Sequence, residues 1–139
     1  MTEVKNEYQP VSDEILEGIH AYVAYAKQMF AEEYEFDFGY NQESIEALDL
    51  FINTIREQSD EDTKSKIINI IGSFLGEALI SNHGGNWAYY PEGDLGVNLR
   101  DGAIMASPHA KVEKHISNGE EDSILFFYKV ISKKLAGEF

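Results

Sequence analysis

Four histidines, one mid-chain serine and one glutamate are the residues whose surroundings invite a chemical reading. His20, His83, His109 and His115 show no pair at the i, i+4 spacing that sets two imidazoles on one helical face for zinc. Ser73 lies in "IGSFLG" between Gly72 and Gly76. A nucleophilic serine needs a base and a sharp strand-to-helix elbow, and Ser73 falls in the middle of a helical pattern. Glu77 borders Ile70 and Phe74 at the rim of an apolar helical arc. A carboxylate there calls for a partner, and His83 or Arg100 is expected to supply it, tying helix to sheet. The stretch "NHGGNW" follows directly on that helix. Glycines after a helix C-terminus read as a stop signal, whereas a phosphate cradle places them before an N-terminus. His83 in the last turn suits the negative end of the helix dipole. No catalytic residue, metal ligand or cofactor site is assigned.

The elements that position these residues are legible from periodicity. Residues 1–11 are a polar lead-in, expected to be flexible. Ser12 caps a first helix over about residues 13–31, with Ile15, Leu16, Ile19, Tyr22, Val23, Ala26 and Phe30 on one stripe. Asn41 caps a second over about 42–58, with Ile45, Leu48, Ile52 and Ile55 inward. Asp60, Glu61 and Asp62 are consecutive acids that suit a helix start better than a metal. The third helix, about 63–82, carries an unbroken apolar arc from Ile67 to Leu79 and is expected at the centre. Gly72 and Gly76 stack on it and predict close approach by another backbone. The period then falls to two. Strands are expected over about 86–106 as a three-stranded antiparallel meander, with Pro91 in the first turn and Asp101-Gly102 in the second. Ser107-Pro108 opens a short helix ending at Asn118-Gly119, with Val112 and Ile116 inward. Asp122 or Ser123 caps a last helix bearing Ile124, Phe127, Tyr128, Ile131 and Leu135. The expectation is one α+β domain over 1–139.

Composition narrows the function. The 139 residues hold 11 basic and 25 acidic side chains, a net charge of −14. Phosphate contacts need Lys and Arg, so nucleic acid is not an expected partner, nor is an anionic membrane. The acidity reads either as a means of solubility alone or as a field that steers a basic protein toward the chain. Cysteine is absent, which excludes disulfides and thiolate chemistry. The first residues, "MTEVKNEYQP", contain no apolar signal segment, and a cytoplasmic protein is expected. The stretch "EEYEFDFGY" mixes acids with aromatics. It reads either as a contact surface for a basic partner, through Glu32, Glu33, Glu35, Asp37 and Tyr40, or as a loop whose rings complete the core.

Three stretches, "FGYNQESIEALDLFI", "IGSFLGEALISNHGGNWA" and "SPHAKVEKHISNGEEDSILFFY", resemble a set of small uncharacterised bacterial proteins. The shared positions are Tyr40, Glu43, Ser44, Leu48, Asp49, Gly72, Gly76, Glu77, Trp87, Pro108, Lys114, Asn118, Gly119, Asp122 and Ser123. Asn86, between Gly85 and Trp87, departs from the pattern. Some similar proteins occur with toxin–immunity systems, so the resemblance implies an accessory or interaction protein and supplies no catalytic residues. Two functions stand at this point. One is a non-catalytic binding protein, of the immunity-inhibitor type, that holds a basic partner on its acidic surface. The other is a small-ligand-binding module or hydrolase with a pocket at Glu77, His83, Trp87 and Arg100.

Overall fold

Each helix begins where a short polar side chain replaces the missing backbone partner. In the computed structural model, which describes residues 8–34 and 37–137, Ser12 Oγ accepts from Ile15 N–H at 3.2 Å and opens α1 (Asp13–Ala31). Asn41 Oδ1 accepts from Ser44 N–H at 2.8 Å and opens α2 (Gln42–Ile55). Asp60 Oδ1 accepts from Thr63 N–H at 2.8 Å and opens α3 (Glu61–His83), two residues earlier than its apolar pattern indicates. That bond holds the Asp60 carboxyl below its ordinary value. Pro108, which has no N–H to satisfy, leads α4 (Pro108–Asn118). A 3₁₀ turn over Gly119–Asp122 links it to α5 (Ile124–Leu135), whose cap is Ser123.

The sheet runs β1 (Gln9–Pro10), β2 (Gly85–Tyr89), β3 (Leu95–Leu99) and β4 (Ile104–Ala106), all antiparallel in that spatial order. The three expected strands are present, and a fourth comes from the lead-in, where Gln9 pairs with Tyr89 and Pro10 with Ala88. A two-residue edge strand containing proline has no alternating pattern to betray it. Residues 1–7 lie outside the described residues. Pro91 takes the first inner corner of the β2–β3 turn, closed by Gly93 N–H to Tyr90 O at 2.8 Å. At the β3–β4 turn φ is positive at Arg100, Asp101 and Gly102. Asp101-Gly102 fits such a turn, and Arg100 is drawn into it by contacts described below.

Helix α3 is the axis of the molecule. It packs against α1, α4, α5, β2 and β3, and Ile71, Phe74, Leu75, Ala78 and Leu79 are buried along it. Its glycines receive side chains as well as backbone. A β-carbon at Gly72 would meet the ring and Cα of His109, and one at Gly76 would meet the Trp87 indole. The expected approach of a second backbone is thus correct for Gly72, but Gly76 is a seat for a ring. On α1, Ile19, Val23, Ala26 and Phe30 face the core as expected, whereas Ile15 and Tyr22 are exposed. They sit one turn-edge away from the buried line, on a stripe too wide for the contact α3 offers.

Candidate functional site

The acidic–aromatic loop divides by residue. Glu32, Glu33 and Asp37 are exposed, and Glu35 lies outside the described residues. Phe38 is buried and packs on Phe30 and Phe74, with ring centroids 5.6 and 5.1 Å away. Tyr40 lies 5.3 Å from the Phe74 ring and carries Lys27 Nζ 4.3 Å above its own face. Phe38 and Tyr40 therefore pack into the core, while Glu32, Glu33 and Asp37 face outward; Phe36, like Glu35, lies outside the described residues. The exposed aromatics are elsewhere. Tyr22 and Tyr25 are 40% and 54% exposed on α1, with Ile15 at 39%. Ile15, Gly18, Tyr22 and Tyr25 follow one another at three- and four-residue steps, so they form one outward stripe. Nothing lies within 4 Å of a β-carbon placed at Gly18. Exposed Asp13, Glu14 and Glu17 flank the stripe at one end, and Glu32 and Glu33 at the other. Periodicity puts Tyr22 on the apolar stripe of α1, yet its side chain faces outward.

Glu77 has a partner, but neither of the expected ones. Its Oε2 accepts from Trp87 Nε1–H at 2.8 Å and lies 3.4 Å from His20 Nε2. The bond ties α3 to β2, so the helix-to-sheet link stands with a different donor. Glu77 and Trp87, with His20, Leu16, Val11 and Asn86, line a cavity of about 360 Å³ between α1, α3 and the start of β2. Arg100 and His83 do not line it. Arg100 donates through Nε to His83 O at 3.3 Å and through Nη1 to Leu135 O at 2.8 Å, closing the C-terminal ends of α3 and α5 together. Those carbonyls are the unpaired acceptors of two helix ends, and the left-handed Arg100 backbone, φ 53°, holds the side chain over both. His83 Nε2 contacts Ser132 Oγ at 3.2 Å. Burial, then the Arg100 charge, push its pKa down, so the dipole is answered by Arg100 and not by a histidinium.

Two further histidines bond to groups on other helices. His115 is fully buried. Its Nδ1 accepts from Ile124 N–H at 3.2 Å, which fixes the other nitrogen as the donor to Asn53 Oδ1 at 2.7 Å. Asp49, buried beside it, accepts from Ser123 Oγ at 2.6 Å and Leu125 N–H at 3.1 Å. A carboxylate from α2 thereby caps α5 across 74 residues of sequence. Lys111 and Asn118 bind Asp122 at 2.9 and 2.7 Å, and Arg56 donates to the carbonyls of Ile116 and Ser117 at the end of α4. This network holds Asn118, Asp122 and Ser123 of the quoted "SNGEEDS" in structural roles. In the sequence Asp49 stands out only as one of the positions of the resemblance; it lies four residues after buried Ile45, on the same side of α2.

His109 packs against Trp87, with ring centroids 5.6 Å apart, and touches Ser73 Oγ through Nε2 at 3.3 Å. Ser73 is completely buried in mid-helix, and His109 Nδ1 has no partner among the described residues. A nucleophile needs access and its base needs a third group to orient it, and this pair has neither. Among the described residues no three His, Asp or Glu side chains converge as metal ligands, and no helix is long and apolar enough to cross a membrane. Comparison of the chain with family models, with curated proteins and with solved structures finds no match.

Proposed function

We propose that this protein is a non-catalytic binding protein that holds a basic partner protein against the outer face of α1. The observation that carries the reading is the exposed Ile15–Tyr22–Tyr25 stripe set between acidic clusters. Tyrosine supplies contact area at small entropic cost, and flanking carboxylates attract and orient a cationic surface. An inhibitor of the immunity type works in this way, and the resemblance to proteins that accompany toxin–immunity systems points in the same direction. The test is a pull-down from the native host's lysate, washed at low and then high salt, with the natural chain and with Tyr22→Ala/Tyr25→Ala. One basic protein, retained in stoichiometric amount at low salt and lost from the double variant, is the expected result. An empty low-salt eluate, or capture indifferent to both tyrosines, overturns the proposal.

A second reading rests on the cavity beside Glu77 and Trp87. At about 360 Å³ it falls within the size range of small-ligand sites. Its lining offers one carboxylate and one imidazole, 3.4 Å apart, as polar anchors in an otherwise largely apolar wall. Trp87 is the single tryptophan, so a ligand that enters would change the intrinsic fluorescence. A screen of small cationic metabolites that leaves the emission unmoved removes this reading.

A further inference from the structure

A second cavity has a lining opposite in sign to the net charge of the chain. It is a groove of about 440 Å³ between β4, α4 and α5. Its floor and rim come from Ile104, Met105, Phe126 and Val130 together with Lys114 and Lys134, and no carboxylate lines it. In a chain of net charge −14 that is a local inversion of sign. Lys111, which also borders it, is spent on Asp122, but Lys114 and Lys134 form no ion pair among the described residues. Phe126 is 68% exposed on the rim, more than any other large apolar residue among those described.

One side of the groove is the edge of the sheet. Among the described residues β4 is the terminal strand, paired with β3 alone. Backbone bonds of Tyr90 to Asp94 and of Arg100 to Gly84 turn the even-numbered residues of β3 toward β2. Odd-numbered Val97 and Leu99 therefore bond Ala106 and Ile104, and the N–H and C=O of Met105 point away from the sheet. The groove thus combines one free backbone donor and acceptor, an apolar floor and two unpaired ammonium groups.

We propose that this groove binds an acidic peptide segment in extended conformation, which joins the sheet at Met105, seats an apolar side chain against Phe126 and meets Lys114 and Lys134 with its carboxylates. Edge-strand addition takes affinity from the backbone and specificity from the alternate side chains, and the lysines select for acid. A free carboxylate shares the charge but has no use for the strand edge, and a second copy of this chain would fill the groove by making a dimer.

The probe is a fluorescein-labelled peptide, Glu-Asp-Val-Phe-Asp-Glu, titrated with the purified full chain by anisotropy. It is run beside a peptide with every acid replaced by lysine, and one N-methylated on the backbone at its central residues. Saturable binding of the acidic peptide is expected, with the Met105 amide resonance among those that move. Lys114→Glu/Lys134→Glu, both changes at the surface, weakens it by about tenfold or more while the circular dichroism is unchanged. The N-methylated peptide binds at least about tenfold more weakly too. Absence of saturation up to about 1 mM, or binding indifferent to the two lysines, overturns the proposal. Equal binding of the N-methylated peptide overturns it in favour of a simple anion site. Sedimentation of the free chain as a dimer that the lysine variant dissociates overturns it in favour of self-association.

Discussion

Asp49 carries more of the structure than any other single carboxylate described here, because it caps a helix distant in sequence. Asp49→Ala removes the acceptor from Ser123 Oγ–H and Leu125 N–H in a buried place, which costs about 2–3 kcal/mol. Asp49→Asn keeps one oxygen and loses less. Urea unfolding of both variants measures the difference, and equal stability of the alanine variant and the natural chain contradicts the capping role. His109 gives a pH dependence of known sign. Burial pushes its pKa from 6.5 to about 4 in the folded protein. The unfolded chain therefore takes up a proton first, so stability is complete above pH 6.5 and falls as the pH drops toward 4. At pH 5 the loss from this residue is about 2 kcal/mol relative to neutral pH. His83 and His115 shift in the same direction. Replacing His109 by Gln should flatten the fall between pH 7 and 5 by about that amount, and an unchanged slope refutes the assignment.

At the scale of elements, two helical glycines predict opposite outcomes for the same substitution. Gly18 is exposed with open space around it, so Gly18→Ala gains helix propensity and stabilises by about 0.5–1 kcal/mol. Gly76 faces the Trp87 ring, so Gly76→Ala overpacks and destabilises by about 1–3 kcal/mol despite the same propensity gain. Thermal unfolding decides both signs, and Trp87 emission reports the second. What the sequence discloses follows the same division. Caps at Ser12 and Asn41, the Gly84 stop and the Pro91 turn are local signals, written within three or four residues, and they are read correctly. The strand at Gln9–Pro10, the Trp87–Glu77 bond and the Arg100 clasp join distant segments, and no local pattern encodes them. Tyr22 shows the intermediate case: period places it near the core, but only the width of the neighbouring element decides whether it is covered.

Over the whole molecule, acids are spread along most of the chain, and two features stand out against that background. Acids crowd the two ends of α1, and lysines border the β4–α5 groove. Capture of a basic partner at α1 should weaken steeply with salt, mainly through slower association, because exposed charges steer from beyond contact. Glu32→Lys/Glu33→Lys should lower the association rate about threefold or more with little change in dissociation, measured by surface plasmon resonance. An effect confined to the dissociation rate assigns these acids to contact and not to steering.

Helix α3 has five other elements packed against it, and its middle, from Ile71 to Leu79, is nearly all buried. None of α1, α4, α5, β2 and β3 can detach without wetting some of its length. Opening should accordingly be all-or-none, with tryptophan emission and helical dichroism lost in a single transition. The amide hydrogens from Ile71 to Leu79 then exchange with deuterated water only when the entire chain opens, so their exchange rate is a direct gauge of global stability.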